Sequence, residues 1–131
     1  MARLDARTLA HRAWTVVTAE FPVFDVIFGH QATPLRVRFD CTDWNDLPPS
    51  VALLHADGRF LTTVPATTTN IFNGGPHPLT GRPFICMRGI REFHTHESHL
   101  AERWENYRGQ PGNDLLGLIS QIWRAWKGAN P

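Results

Sequence analysis

The stretch LRVRFD, residues 35–40, decides the fold of this chain. Apolar Leu35, Val37 and Phe39 alternate with charged residues, the period-two pattern of a β-strand with one face in the core and one in water. The preceding segment VFDVIFG, residues 23–29, is rich in β-branched and aromatic residues, which strands favour. The two segments therefore predict neighbouring strands of one sheet.

The pattern continues after a proline break. Pro48 and Pro49 lack the backbone donor that a central strand needs, so WNDLPPS interrupts the sheet. VALLHA, residues 51–56, and RFLTTV, residues 59–64, then flank Asp57-Gly58, a dipeptide typical of tight hairpin turns. The four segments together predict an antiparallel meander of four strands.

Both ends of the chain are predicted to be helical. DARTLAHRAWTVVTAEFP, residues 5–22, reads as an amphipathic helix that begins near Asp5 and ends at Pro22. NDLLGLISQIWRAWKG, residues 113–128, reads as a second helix, capped by Asn113 or Asp114 and ended by Gly128. Helical spacing is seen for Leu4, Leu9, Ala13, Trp14, Val16 and Val17 in the first, and for Leu115, Leu118, Ile119, Ile122, Trp123 and Trp126 in the second.

Residues 65–111 have little periodicity and many glycines and prolines, so we expect a long irregular segment of the kind that often carries function. The predicted fold class is α+β: an N-terminal helix, an antiparallel four-stranded meander, a long irregular active-site segment and a C-terminal helix. A length of 131 residues predicts a single domain over residues 1–131.

Composition limits the function classes. The formal net charge is +1 without a run of one sign, which argues against a nucleic-acid partner bound through bulk charge. No apolar run is long enough to span a bilayer, so no membrane role is expected. Two separated cysteines without a CxxC motif, and no visible signal peptide, indicate reduced thiols and a cytoplasmic location.

The irregular segment contains GRPFICMRGIREFHTHESH, residues 81–99, with Cys86 and three histidines. We call His94, His96 and His99 the histidine cluster. Cys86 is a nucleophile, one ligand of a metal site that includes the histidines, or a small buried side chain, since free cysteine is often buried. A nucleophile needs a neighbour that lowers its pKa, for which Arg82, Arg88 and Arg91 are close in sequence.

The histidine cluster allows three interpretations. One histidine acts as general base beside Cys86, the cluster binds a metal with or without Cys86, or the histidines are ordinary loop residues. The His-x-His spacing would place two rings on one side of a strand. In either functional interpretation a carboxylate among Glu92, Glu97 and Glu102 could orient a ring.

The order of these features resembles the ubiquitin-conjugating enzyme superfamily, the UBC fold, and its divergent bacterial members. LPPSVALL is similar to the proline-rich turn of that family. HPLTGRPFICM is similar to its His-Pro-Asn stretch before the catalytic cysteine, with His77 and Pro78 matching and Leu79 in place of asparagine. Trp104, followed by a helix with Leu115, Leu116, Ile119 and Ile122, is similar to the part that follows the cysteine.

The resemblance implies a carrier enzyme without a cofactor. Cys86 would accept a ubiquitin-like protein as a thioester from an activating enzyme and pass it to a nucleophile on a target protein, in a system that can include a deconjugating peptidase. It implies that His77 bonds its own loop and that the N-terminal helix meets the activating enzyme. Asn70, Asn73 or a cluster histidine would have to replace the donor that is missing at Leu79.

Two alternatives stay open at this point. The chain could be a non-catalytic UBC-fold module that binds a ubiquitin-like protein, with an inert Cys86. It could also be a metal-dependent or Cys-His hydrolase built on Cys86 and the histidine cluster. Trp104 and Tyr107 are expected to pack under the active-site loop in any of these cases.

Overall fold

The computed structural model of the chain describes residues 6–29, 33–65 and 70–129. In chain order, a short helix comes first and a four-stranded antiparallel sheet follows it. A long, mostly irregular segment then leads to the last helix. The helices are α1 (Ala6–Arg12), α2 (Arg91–Thr95) and α3 (Leu115–Ala129), and the strands are β1 (Trp14–Glu20), β2 (Val23–Phe28), β3 (Leu35–Asp40), β4 (Ser50–Leu54), β5 (Phe72–Asn73) and β6 (Phe84–Ile85).

The main sheet is a meander in the order β1-β2-β3-β4, with all neighbours antiparallel. Val37 lies opposite Val26 on one side and Leu53 on the other, and all three side chains are buried. The alternation read from LRVRFD is present, because Leu35, Val37 and Phe39 are buried between less buried neighbours. The predicted α+β class and the antiparallel four-stranded sheet are confirmed.

The prediction of one N-terminal helix over residues 5–22 is wrong for most of its length. Helix α1 ends at Arg12, Ala13 has a positive φ of 55°, and Trp14 begins strand β1. Thr15, Val16, Val17 and Thr18 are β-branched and favour a strand once β2 lies beside them. Phe21 and Pro22 form the turn between the two strands, while the predicted Leu4 and Asp5 lie outside the described residues.

The last predicted strand is also wrong. The turn at Asp57-Gly58 forms, with Gly58 at a φ of 94° and a bond from the His55 N–H to the Arg59 carbonyl. The returning arm, residues 59–64, makes an isolated bridge between Leu54 and Phe60 and no strand. The main sheet therefore has four strands as predicted, but its fourth member is β1 and not the returning arm of this hairpin.

Helix α3 covers the inner face of the sheet, as predicted. Leu118, Ile119 and Ile122 are fully buried in the same apolar cluster as the side chains of β2 and β3. The aromatic rings continue this contact, since Phe28 lies 5.3 Å from Trp14 and 5.7 Å from Trp126 between ring centroids. Asp114 is the residue that caps the helix, accepting a bond from the Gly117 N–H, whereas Gly128 does not end it.

The irregular segment packs along the outer edge of β4. The buried Glu92 carboxylate accepts bonds from the Val51 N–H at 2.8 Å and the Ser50 hydroxyl at 2.6 Å. The Arg91 N–H donates to the Pro49 carbonyl at 2.8 Å. These bonds fix the start of α2, and with it the turn that follows Cys86, against the sheet. Within the described ranges, no helix has the length and apolar character needed to cross a membrane.

Candidate active site

Cys86 comes directly after strand β6. Its backbone N–H donates to the Ile71 carbonyl at 2.6 Å, and its side chain is half-buried. The chain then turns through Met87 and Gly89 into α2, with the Ile90 N–H donating to the Met87 carbonyl. The thiol thus lies just after a short strand, on a turn that is held by the Cys86–Ile71 and Ile90–Met87 backbone hydrogen bonds.

His99 and Glu102 stand in line with this thiol. The Cys86 Sγ lies 3.7 Å from His99 Nε2, and His99 Nδ1 lies 2.7 Å from Glu102 Oε2. A carboxylate only accepts, so Nδ1 donates its proton to Glu102 and leaves Nε2 to accept from the thiol. Nucleophile, base and orienting carboxylate follow one another, which is the arrangement of a thiol activated by general base catalysis.

Two further side chains, Phe93 and Arg88, hold His99 and Glu102 in place. The His99 ring stacks on the buried Phe93 ring, with centroids 4.0 Å apart and planes 15° from parallel. The Arg88 guanidinium donates twice to Glu102 Oε1, at 3.0 and 2.8 Å, on the carboxylate oxygen that does not face His99. The hydrogen bonds from Arg88 and His99 lower the pKa of Glu102 below its ordinary value.

The charges around Cys86 correct one expectation from the sequence. Burial, and then the negative charge of Glu102, raise the pKa of the Cys86 thiol above its ordinary value. The three nearby arginines are used elsewhere: Arg88 bonds Glu102, Arg82 covers the Phe60 ring, and Arg91 donates to the Pro48 carbonyl. The thiol is therefore protonated near neutral pH, and a thiolate forms when His99 takes the proton.

His94 lies at the end of α2, not on a strand as the His-x-His spacing suggested. Its Nε2 accepts from the Gly89 N–H at 3.0 Å, and its Nδ1 lies 2.6 Å from the Glu102 carbonyl oxygen. Burial lowers the pKa of His94 below its ordinary value, more than the bond and charge of Glu102 raise it. Both ring nitrogens thus serve the backbone around the site.

His96 pairs with Ser98, whose N–H donates to its Nδ1 at 3.2 Å. The hydrogen bonds of the three rings go to different groups: His99 bonds the Cys86 thiol and the Glu102 carboxylate, His94 bonds two backbone groups, and His96 bonds Ser98. In the described parts of the chain, no three or more His, Cys, Asp and Glu side chains are grouped so as to hold a metal ion. The geometry offers the metal alternative no support.

The carboxylates of this segment divide in the same way. Glu102 orients His99, Glu92 bonds strand β4, and Glu97 is exposed at the start of a short 3-10 turn, Glu97–His99. One of the three acids suggested by the sequence is therefore placed to orient a ring.

His77 is buried and holds its own loop. Its Nδ1 accepts from the Leu79 N–H at 3.1 Å, and its Nε2 lies 2.9 Å from the Glu92 carbonyl oxygen, to which it donates. Pro78 and Leu79 are exposed beside it, with Leu79 at 74%. His77 thus ties its own loop to α2, and position 79 offers an exposed apolar side chain in place of a polar one.

Trp104 and Tyr107, the two aromatic residues expected under the active-site loop, both have their rings near the ring of His94. Their ring centroids lie 6.0 and 5.9 Å from the His94 centroid. Trp104 is buried and donates from Nε1 to the Asn45 carbonyl at 3.0 Å, while Arg88 covers Tyr107 at 5.2 Å. The rings of Trp104 and Tyr107 therefore pack against His94.

A cavity of about 800 Å³ opens beside the turn that follows Cys86. Met87 and Arg88 line one side, and the loop 107–113 and the first turns of α3 line the other. Arg12 and Arg124 add positive charge, with Asp114 as the acidic group in the lining. The cavity has the volume of a ligand-binding cleft, and it borders Met87, the residue that follows Cys86 in the chain.

Sequence reasoning named Cys86, His99 and Glu102 as candidates without distinguishing His99 from His94 and His96. It considered Arg88 only as a charge near Cys86 and missed its hydrogen bonds to Glu102. The spacing of His99 and Glu102 carries the signal, since residues three apart meet in a helical turn. The Glu102 N–H donates to the His99 carbonyl, which closes that turn. Nothing in the sequence shows which turn would face Cys86.

Comparison with known proteins gives a family for this chain. Over 44 residues the chain is 34% identical to the uncharacterized protein y4jH of Sinorhizobium fredii (strain NBRC 101917 / NGR234), a match that covers 34% of this chain and 22% of that relative. The match therefore spans about a fifth of the relative's length. A model of the Y4jH family matches residues 64–130, just over half of the chain, from the end of the hairpin arm through the active-site segment and α3. The chain belongs to the Y4jH family.

Proposed function

We propose that this protein is an acyl-carrier enzyme of UBC-like fold that accepts the C-terminal acyl group of a ubiquitin-like protein as a thioester on Cys86. It passes that group to a nucleophile on a target protein. The observation that carries the proposal is the line from Cys86 Sγ to His99 Nε2, 3.7 Å, and from His99 Nδ1 to Glu102 Oε2, 2.7 Å.

The first step is thiol exchange. His99 Nε2 takes the Cys86 proton, and the thiolate attacks the carbonyl carbon of the thioester that links the ubiquitin-like protein to its activating enzyme. A new carbon–sulfur bond forms, the old one breaks, and the leaving thiolate of the activating enzyme recovers a proton from His99. Glu102 favours the charged imidazole during the step because its carboxylate accepts from Nδ1.

The second step releases the carrier. An amine of the target attacks the thioester carbonyl, the bond to Cys86 Sγ breaks, and the acyl group leaves as an amide. The amine gives up a proton to His99 Nε2, which returns it to the departing Cys86 thiolate. A thioester suits both steps, since sulfur attacks readily and leaves readily.

The surroundings of Cys86 support a large, extended acyl donor. The thiol is half-buried, and a cavity lined by Met87, Arg88 and the first turns of α3 opens next to the turn that follows it. Two backbone amides of this turn already have acceptors, since the Cys86 N–H donates to the Ile71 carbonyl and the Gly89 N–H to His94. Leu79 supplies no side-chain donor at the position where the resembled family has asparagine. In this proposal, His99 is therefore the polar side chain that acts beside Cys86.

The test is a charging assay with the cognate activating enzyme, the ubiquitin-like protein and ATP. We expect a thiol-sensitive adduct on the wild type and on Cys41→Ala, the matched control, and none on Cys86→Ala. Cys86→Ser should hold an ester that resists thiols. Without an adduct on the wild type, while the activating enzyme itself becomes charged, the carrier proposal fails and a non-catalytic binding module replaces it.

A Cys-His hydrolase is the second candidate, and the carboxylate behind His99 favours it. A base oriented by Glu102 can activate water as well as an amine, which would cleave the acyl group from Cys86. The same assay separates the two functions. A carrier accumulates the adduct for minutes without acceptor, whereas a hydrolase releases free ubiquitin-like protein and reaches no stable charged state.

A further inference from the structure

His94 joins the two turns that carry the reacting groups. Its Nε2 accepts from the N–H of Gly89, three residues after Cys86, at 3.0 Å. Its Nδ1 reaches the carbonyl of Glu102, the residue that orients His99, at 2.6 Å. A single ring thus connects the backbone of the nucleophile's turn with the backbone of the carboxylate that supports the base.

The two bonds fix the protonation state of the ring. A backbone N–H only donates, so Nε2 must be without a proton, and a carbonyl only accepts, so Nδ1 must carry one. The neutral Nδ1–H form therefore satisfies both bonds, and a protonated ring loses the bond to Gly89. Gly89 packs closely against α3, since a Cβ at this position would lie 2.5 Å from the Leu118 side chain, and its φ of +95° favours glycine.

From this geometry we propose that His94 is a positioning residue that holds Cys86 and the His99–Glu102 pair at reacting distance in its neutral form. The inference rests on the proposed function of Cys86 and deepens it. His94 does not touch the thiol itself. It sets the separation of two turns, and a shift of about 1 Å between nucleophile and base can cost on the order of 100-fold in rate.

The groups that face His94 agree with a neutral ring. Phe93, Trp104 and Tyr107 surround it with aromatic faces, and the charged or titratable neighbours are Glu102, His99 and Arg88. Burial and the positive charge of Arg88 lower the pKa of His94, because both disfavour the charged ring. The hydrogen bond and the negative charge of Glu102 raise it, but they do not outweigh burial. The ring therefore keeps its bond to Gly89 at neutral pH.

The experiment measures the alkylation rate of Cys86 by iodoacetamide, followed at each cysteine by peptide mass spectrometry, and needs no acyl donor. The variants are His94→Phe, which keeps an aromatic ring without either bond, and His94→Gln, whose amide offers one donor and one acceptor. His99→Ala serves as the reference for loss of the base. Cys41 is the internal control, because it is buried and reacts only if the fold opens.

We expect His94→Phe to slow alkylation of Cys86 at pH 7.5 by about 10- to 100-fold, with Cys41 still protected, and His94→Gln to recover most of the rate. A merely structural role gives the opposite sign, since a loosened fold exposes both thiols and speeds their reaction. The proposal is overturned if His94→Phe reacts like the wild type while His99→Ala is slow. If His99→Ala is also as fast as the wild type, the proposed base fails, and the positioning role fails with it.

Discussion

The two cysteines show how position sets the chemistry of one residue type. Burial, and then the charge of Asp40, raise the pKa of Cys41 to about 11, and its side chain belongs to the apolar core. Cys86 has a raised pKa as well, yet it is half-buried and has a base within reach of its proton. In the proposed function, the reactivity of Cys86 therefore depends on His99 and on solvent access, and not on a low thiol pKa.

This difference predicts selective modification. With limiting iodoacetamide at pH 7.5, the native protein should gain a single carbamidomethyl group, at Cys86, and a second should appear after unfolding in urea. Intact-mass measurement counts the groups, and Cys86→Ser should remain unmodified until it unfolds. Native protein labelled first at Cys41 would show that the burial argument is wrong.

Asp25 shows a different use of a charged residue. It is buried on the face of the sheet that turns away from α3 and accepts from Arg36 at 2.9 and 2.8 Å and from Arg38 at 3.0 Å. Burial acts to raise the pKa of Asp25, but the hydrogen bonds and charges of the two arginines outweigh it and lower that pKa below the ordinary value. The carboxylate is thus paired in the folded state.

We therefore expect Asp25→Ala to lower the free energy of unfolding by about 3 kcal/mol, since it leaves arginine charges without their partner. Urea unfolding at pH 7 measures this change. The exposed pair of Asp57 and Arg59 gives the control, because solvent screens this pair and Asp57→Ala should lower the free energy of unfolding much less than Asp25→Ala does.

The stabilisation by Asp25 also depends on pH. A carboxylate with a lowered pKa contributes fully above its unfolded pKa, about 3.9, and the contribution is lost as the pH falls through the folded value. The difference in unfolding free energy between wild type and Asp25→Ala should accordingly shrink below pH 4. A difference that stays constant from pH 7 to pH 3 would contradict the ion-pair account.

At the scale of elements, the two glycines of α3 have opposite surroundings. A Cβ on Gly117 would meet the Gly112 carbonyl oxygen at 2.3 Å, because the loop before the helix passes directly over it. A Cβ on Gly128 would meet nothing within 4 Å. Gly117 therefore permits the close approach of loop and helix beside the cavity near Cys86, and Gly128 has no such role.

Replacing each glycine by alanine should separate helix propensity from packing. Gly128→Ala should raise the free energy of unfolding by about 0.5 kcal/mol, because alanine loses less backbone entropy in a helix. Gly117→Ala should lower it by about 1–3 kcal/mol despite the same gain in propensity, since backbone atoms must move. Equal effects at both positions, measured by urea unfolding, would contradict the contact with Gly112.

The elements also show where sequence reasoning succeeds and fails. α3 was predictable because a cap, six apolar residues at helical spacing and a long run all agree. The N-terminal segment failed because Trp14, Val16 and Val17 fit both a helical stripe and a strand, and only pairing with β2 decides between them. His99 could not be chosen over His94 and His96, because its distance to Cys86 arises from the turns of an irregular segment.

For the whole molecule, the docking of the active-site segment depends on the free edge of β4. That edge would otherwise present unpaired backbone groups. Glu92 takes the Val51 N–H and the Ser50 hydroxyl, and its own carbonyl accepts from His77. One residue therefore links the sheet, the loop at His77 and the start of α2, which lies between the turn of Cys86 and the turn of His99 and Glu102.

Removal of this link should loosen the active-site segment before the sheet. Glu92→Ala leaves the buried Val51 N–H without its acceptor, so we expect a loss of about 2–3 kcal/mol in unfolding free energy and faster hydrogen exchange at the Val51 amide. Glu92→Gln keeps an acceptor oxygen and is the matched control, with exchange at Val51 close to the wild type. Exchange at Val37, which pairs inside the sheet with β2, should change less in either variant. If Glu92→Ala leaves Val51 as protected as it is in the wild type, other contacts hold the segment, and the sheet edge does not depend on this carboxylate.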